Sequence, residues 1–238
     1  MTYALLAFDL DGTLADTEGL SLPDLIDFLN TAYNVPITQE RFYEAYHGMT
    51  GQALLDKLNA EFGCHLEWAE FLPRRTARLK TTFDAGIPAA AGVFQALKLA
   101  AAAGYPMCVC SNSTPDRMRY SLSKVSGQHS AGVFLEDLFD GHMFSATDPA
   151  QHHKPKPAPD VYLAAAEASQ KPPATCLAVE DSPTGITAAV TAGYGCVVGY
   201  TGTSHNPKSA AETLKAAGAH VIMHHWDDFF PLLQAPKA

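Results

Sequence analysis

The sequence predicts an α/β fold in which a parallel sheet carries helices on both faces and its first strand is followed by an all-helical insert. Two observations predict it. Short, continuously apolar runs alternate with helical stretches along most of the chain, and residues 17–86 break that alternation with helical segments alone. At 238 residues, 47% hydrophobic and 17% charged, the chain is long enough for one large domain, or one domain with a modest insert, and is too apolar for disorder.

The apolar runs lie at 3–8, 107–110, 143–144, 176–179, 195–198 and 220–223. Apolar side chains on consecutive positions, rather than alternate ones, mark strands buried on both faces, as in a parallel sheet with helices above and below. The stretches between them carry helix punctuation. Residues 93–103 are rich in Ala and Leu and stop at Gly104, a residue suited to the left-handed C-terminal position. Stretches 115–124, 159–169, 183–192 and 207–217 each open on a proline, which fits the first helical turn, and the last two stop at Gly193 and Gly218. Strand–helix alternation of this kind implies parallel strands joined by helical crossovers. In the interrupting block, helices are expected at 20–33, 38–46, 51–62 and 68–83. Leu22, Leu25, Ile26 and Leu29 fall on one face of the first. The expected division is therefore 1–16 with 87–238 as the α/β core and 17–86 as the insert, with Gly86-Ile87-Pro88 as the return hinge.

Charge and cysteine usage narrow the class. The net charge of −9 and pI of about 5.5 leave no broad cationic surface to displace counterions from nucleic acid. A small anion bound at a local positive site, or through a metal, stays compatible. The five cysteines, Cys64, Cys108, Cys110, Cys176 and Cys196, form no Cys-x-x-Cys pair and read as buried thiols in a reducing cytoplasm. The chain opens on apolar residues without a charged leader, so no signal peptide is expected. The longest apolar run, 99–110, is too short to span a bilayer and contains Gly104 and Pro106. A cytoplasmic protein with no membrane partner is expected.

The chemistry-bearing residues gather at strand ends. Phe8-Asp9-Leu10-Asp11-Gly12-Thr13 ends the first strand in two acids spaced i, i+2, so both project to one side. Ligands of parallel sheets bind outside the carboxyl ends of strands. Two ionised carboxylates so close repel each other unless they share a proton or a divalent cation. Asp-Gly alone is also an ordinary turn signal, and the other strand ends decide between the readings. The run at 176–179 ends in Glu180-Asp181-Ser182 with Gly185 following. The run at 107–110 ends in Ser111-Asn112-Ser113 at a helix start, where anions are favoured. Lys156-Pro157-Ala158-Pro159-Asp160 sets a lysine in a proline-braced loop before a helix. Lys154, in the same Lys-Pro-Lys-Pro run, lacks the Pro-x-Pro-Asp continuation and reads as a solvated lysine.

Across residues 8 to about 205 these four motifs resemble those of the haloacid dehalogenase (HAD) superfamily of phosphohydrolases. The branch indicated is the one with a helical cap after the first motif, the phosphoglycolate phosphatase and β-phosphoglucomutase-like branch. Asp-x-Asp-Gly-Thr is matched by 9–13, the strand-end Ser by Ser111, Lys-Pro-x-Pro-Asp by 156–160 and Glu-Asp-Ser-x-x-Gly by 180–185. The resemblance implies a Rossmann-like core with a small helical cap, and a Mg²⁺-dependent phosphatase acting on a small phosphorylated metabolite. It implies Asp9 as nucleophile forming an aspartyl-phosphate and Asp11 as general acid and base. Ser111, Asn112 and Lys156 would hold the phosphoryl group, and Mg²⁺ would sit among Asp9, the Asp11 main-chain carbonyl, Asp181 and the nearby Glu180.

Departures from relatives with other chemistry refine this reading. Asp11 argues against dehalogenation. Ser21 stands where the mutase relatives have a cap histidine, and Gly51 stands where they have an arginine, so a phosphosugar mutase is the alternative rather than the first choice. A non-enzymatic metabolite-binding protein on the same scaffold would be expected to lose Asp9, Asp11, Lys156 or Asp181, and none is lost. In the cap, His47 and Thr50 are candidates for sugar hydroxyls, and Arg78 and Lys80 for either a second anionic group or an ordinary solvated face. The loop 201–205 is a further candidate near the site. A monomer or small homo-oligomer is expected. Trp68 and Trp226 read as packing residues.

Overall fold

A computed structural model describes residues 3–46, 49, 51–126, 135–139 and 141–234. The chain forms two compact units, one of Met1–Asp16 with Ile87–Ala238 and one of Thr17–Gly86. In chain order, β1 (Leu5–Phe8) leads into four helices, α1 (Thr17–Tyr33), α2 (Gln39–Ala45), α3 (Gly51–Phe62) and α4 (Trp68–Asp84). Next come β2 (Ile87–Pro88), α5 (Val93–Ala102), β3 (Met107–Ser111), α6 (Pro115–Lys124), β4 (Val125–Ser126) and β5 (Met143–Ser145). The chain continues with α7 (Asp160–Ala168), β6 (Cys176–Glu180), α8 (Pro183–Thr191), β7 (Cys196–Tyr200), α9 (Pro207–Ala216), β8 (Val221–Met223) and α10 (Phe229–Gln234).

The main sheet has the order β5-β3-β1-β6-β7-β8, and each adjacent pair is parallel. From β1 the chain steps outward through β3 and β5, then crosses to β6 and steps the other way through β7 and β8. The reversal falls between β1 and β6. Crossovers that leave in opposite directions open a crevice above the carboxyl ends at that point, where ligands of such sheets bind.

Consecutive apolar residues are needed in these strands because both faces are covered. Leu5 and Ala7 pack on one side with Val161, Tyr162 and Ala165 of α7 and Ile186 and Ala189 of α8. On the other side Phe8 meets Phe139, Trp226 and Phe229 at ring-centroid distances of 6.1, 5.9 and 5.6 Å. Burying each large apolar side chain contributes roughly 1.5–3 kcal/mol. Helix starts follow their cap residues. Thr114, Ser182 and Asn206 accept from the backbone N–H three residues on, at the entrances of α6, α8 and α9, each followed by proline. Two features differ from the sequence expectation. β2 and β4 pair as a small parallel ladder, too short at two residues each to leave a periodic signal. The first helix also begins at Thr17 rather than residue 20.

The helical unit has its own core, centred on Leu29, Val35, Leu55 and Leu58, with Trp68 packed at its margin. Asn30 staples the turn after α1, donating to Ile37 O at 2.9 Å and accepting from Ile37 N at 3.2 Å. Asp24, one-tenth exposed, accepts from Arg75, from Arg78 Nε at 2.8 Å and from Thr82 Oγ1 at 3.0 Å. Burial works against its charge, but Arg78, Thr82 and Arg75 together hold its carboxyl below the ordinary range. That stabilisation is present above the unfolded carboxyl range and is lost as pH falls through the lowered folded value. Asp24→Ala leaves Arg75 without its carboxylate, so the protein is expected to lose about 3 kcal/mol, the low end for a buried pair, read as a lower melting temperature at pH 7 with a smaller deficit at pH 3.

No helix among the described residues is long and apolar enough to cross a membrane. None of the five cysteines forms a disulfide, and all but Cys64 are buried.

Candidate active site

The crevice above β1 and β6 collects the strand-end residues. Asp9 follows β1 directly and is buried. Its main-chain N–H donates to Val179 O at 3.0 Å, which ties the motif to β6. Lys156 is 7% exposed although it lies in a loop. Its Nζ donates to Asp9 Oδ1 at 2.6 Å, Glu180 Oε1 at 2.5 Å and the Cys110 carbonyl at 2.8 Å. The ammonium thus bridges the ends of β1, β3 and β6. Burial opposes its charge, yet Asp9 and Glu180 outweigh this and raise its pKa, so it stays protonated. Lys154 is exposed, and its main-chain N–H donates to Asp160 Oδ2 at 3.0 Å. That bond explains the aspartate that ends the proline-braced loop. The Lys156–Pro157 bond is cis.

Glu180, fully buried, has both oxygens engaged. Oε1 accepts from Lys156 and from Tyr162 Oη at 2.6 Å, and Oε2 accepts from Ser182 Oγ at 3.1 Å. Burial and the nearby Glu180 push the Tyr162 hydroxyl up, so it remains a donor. Asp181 accepts from Thr13 Oγ1 at 3.1 Å. The two motif glycines are explained here. Gly12 has φ 85°, and a Cβ on it would overlap the Asp181 carboxylate; a Cβ on Gly185 would fall on the Glu180 carboxylate.

The third strand end supplies hydroxyls and an amide. Ser111, buried at the end of β3, accepts from Ser113 N at 3.0 Å. Asn112 Oδ1 accepts from Lys156 N at 2.8 Å, so its side chain clamps the lysine loop. Ser113 Oγ donates to Asp11 Oδ2 at 3.0 Å. Thr203 Oγ1 donates to Gly12 O at 2.5 Å, anchoring the 201–205 loop on the first motif.

Electrostatically the site carries more acid than base. One carboxylate oxygen each from Asp9, Glu180 and Asp181 lies within 4.8 Å of the others, against the single ammonium of Lys156. Burial drives the Asp9 carboxyl up to about 8, against the pull of Lys156 and with Glu180 and Asp11 adding to it. Burial, then Asp9 and Glu180, drive Asp181 up as well. Lys156 divides itself between two acids, so its pairing does not offset the desolvation of Asp9. A hard divalent cation fits this donor set, because carboxylate oxygens crowded beyond their available positive charge are the ligands such ions take. Glu180 already accepts three hydrogen bonds, against one each from a side chain for Asp9 and Asp181.

A model of the haloacid dehalogenase-like hydrolase family matches residues 3–193. The chain belongs to that family. It is 28% identical over 186 residues to the 6-phosphogluconate phosphatase of Escherichia coli K12, covering 78% of this chain and 77% of the relative. Among solved structures, a haloacid dehalogenase-like protein of unknown function from Agrobacterium tumefaciens superposes with a TM-score of 0.82 at 31% identity, with 97% of each chain covered. A HAD family hydrolase from Deinococcus radiodurans, crystallised with phosphate and sodium, superposes with a TM-score of 0.80 at 25% identity, covering 98% of this chain and 95% of that one.

In this HAD-like hydrolase, Asp9, Asp11, Ser111, Asn112, Lys156, Glu180 and Asp181 all meet at one crevice. His47 and Thr50 lie outside the described residues. Arg78 is committed to Asp24 and to Asp27, at 2.5 Å, and Lys80 to Asp84, at 2.6 Å. Within the helical unit Arg78 and Lys80 are therefore ion-paired with acids. Tyr162 was not singled out from the sequence, whereas Thr13, Ser113 and Thr203 lie in stretches that were (the first motif, the Ser-Asn-Ser strand end and the 201–205 loop) but carried no role of their own. Tyr162 is an ordinary apolar-face helix residue by spacing.

Proposed function

We propose that this HAD-like hydrolase is a phosphatase for small phosphate monoesters of the sugar-phosphate class, working through an aspartyl-phosphate on Asp9. The observation that carries the reading is the convergence of a buried nucleophilic carboxylate, an acid–base candidate two residues on, a buried ammonium and an acidic cluster at one switch point. The similarity to a 6-phosphogluconate phosphatase supports the substrate class.

In this reading Asp9 attacks phosphorus with the carboxylate oxygen not held by Lys156. A covalent intermediate of this kind divides one difficult displacement into two easier ones. Asp11 gives its proton to the departing alcohol oxygen, then takes one from the water that cleaves the acyl phosphate. Ser111 and the ammonium of Lys156 bind the transferring phosphoryl oxygens. Such fixed donors supply most of the rate in phosphoryl transfer, where little covalent work falls to the protein. Asn112 contributes by holding the Lys156 backbone in place. Asp9, Asp181 and the Asp11 main-chain carbonyl would hold Mg²⁺, with Glu180 beside it, and the ion would neutralise charge on the phosphoryl group and the carboxylates. The unit 17–86 is read as the cap domain of the family, and His47 and Thr50 remain its specificity candidates. Five cysteines that form no disulfide suit a reducing compartment, and we read the enzyme as cytoplasmic.

The test is phosphate release, with and without Mg²⁺, from 6-phosphogluconate, phosphoglycolate and a set of triose, pentose and hexose phosphates. Release that requires the metal and peaks on one or two compounds is the expected result. No release from any compound by folded, Mg²⁺-loaded protein would overturn the phosphatase reading in favour of phosphoryl transfer between sugar positions.

A further inference from the structure

We propose that Ser113 is the positioning residue for Asp11, fixing which carboxyl oxygen delivers the proton to the leaving group. The inference rests on the acid–base reading of Asp11 given above. Ser113 Oγ donates to Asp11 Oδ2 at 3.0 Å, while Asp11 Oδ1 is buried and has no hydrogen-bond partner among the described residues. An oxygen that accepts a hydrogen bond keeps its lone pair for that bond. In the acid–base reading, Oδ1, the oxygen not engaged by Ser113, is the one that passes a proton to and from the reacting oxygen. Leaving a buried polar atom without a partner is unfavourable, so Oδ1 is poised for a group that arrives with the substrate.

The serine is itself held rigidly. Its N–H donates to Ser111 Oγ at 3.0 Å, its carbonyl accepts from Ser145 Oγ at 2.7 Å, and the adjacent Asn112 carbonyl accepts from Thr147 Oγ1 at 2.8 Å. The ends of β3 and β5 thus brace the hydroxyl that aims Asp11. In the first half-reaction the Asp9 oxygen–phosphorus bond forms and the ester oxygen–phosphorus bond breaks. The Asp11 Oδ1 proton moves to the ester oxygen as it leaves. In the second half-reaction water gives its proton to Oδ1 while its oxygen takes the phosphoryl group from Asp9.

Leaving-group dependence tests this, because an aryl oxygen departs without a proton and an alkyl oxygen does not. The probes are p-nitrophenyl phosphate and an alkyl ester, 6-phosphogluconate or whichever sugar phosphate of the panel is turned over fastest. Ser113→Ala is expected to lower kcat/KM for the alkyl ester by roughly 10–100-fold, a part of the effect of general acid catalysis. Its loss on the aryl ester is expected to be no more than a few-fold, and Ser113→Thr, which keeps the hydroxyl, is expected to recover most of the alkyl activity. Equal losses on both esters, or no loss on either, would overturn the proposal, as would a failure of threonine to rescue in a protein of unchanged melting temperature. Asp11→Asn is the control. If it too reduces both esters equally, the acid–base reading of Asp11 is wrong and the role of Ser113 falls with it. If it discriminates between the esters and Ser113→Ala does not, Ser113 alone is excluded.

Discussion

Asp9→Asn is expected to abolish turnover, by a factor on the order of 10⁴ or more, in a protein that folds at least as well as the parent. The amide keeps the shape of the side chain but cannot attack phosphorus as a carboxylate does. Lys156 keeps two of its three partners, Glu180 and the Cys110 carbonyl. The stability side follows from the raised carboxyl. In the fold Asp9 holds its proton up to about 8, chiefly because it is buried, whereas the unfolded chain releases it in the ordinary carboxylate range. Between those limits the folded state binds more protons than the unfolded state, so stability falls as pH rises. Asp181 is shifted in the same direction and adds to the slope. Melting temperatures in EDTA at pH 5 and pH 8 provide the measurement. The parent is expected to lose more between the two than Asp9→Asn, and Mg²⁺ is expected to restore the parent more than the variant at pH 8. Parallel losses in EDTA would mean that Asp9 is not the strained, cation-seeking acid described above, and normal turnover by the variant would remove it as nucleophile.

How far such a site can be read from sequence depends on whether its parts are local. Asp9 and Asp11 are legible because a strand places i and i+2 on one side; Ser111 and Ser113 have the same spacing, and the adjacent acids Glu180 and Asp181 are marked by their place at a strand end. The alternation of apolar runs and proline-started helices announces the parallel sheet, since strands covered on both faces have no polar side to show. Long-range pairing is less legible. Nothing local tells that Lys156 divides its ammonium between Asp9 and Glu180, which are 147 and 24 residues away, or that Tyr162 completes Glu180. Thr203 reaches Gly12 across 191 residues for the same reason. The pairing of Arg78 with Asp24 and Asp27 of another helix is not legible either, because a helical arginine looks alike in sequence whether it faces solvent, an anionic ligand or an acid on a neighbouring helix. The two-residue strands β2 and β4 are fixed by tertiary context and carry no pattern of their own.

Lys156→Met is expected to be the most destabilising single change in the site and to lower kcat by at least 10²–10³-fold, roughly the effect of losing a fixed donor to the transition-state charge. The side chains have similar length, so packing survives while the ammonium is lost. Asp9 and Glu180 then face each other in a buried space whose remaining donors, Tyr162 and Ser182, serve only Glu180. Removing one partner of a buried ion pair costs about 3–5 kcal/mol because the other charge is left uncompensated. For a chain of this size that corresponds to a melting temperature lower by roughly 6–20 °C. The companion variant separates the two roles of the lysine. Lys156→Met with Glu180→Gln removes the opposing charge too, so the pair is expected to regain a good part of the stability without regaining activity. Thermal melts and single-turnover assays of the two proteins in Mg²⁺ read this out. If the double variant were no more stable than the single one, the loss would come from packing and not from unpaired charge. If Lys156→Met melted like the parent, the buried ammonium would not be what holds the ends of β1, β3 and β6 together, and its part in the site would be confined to binding the phosphoryl group.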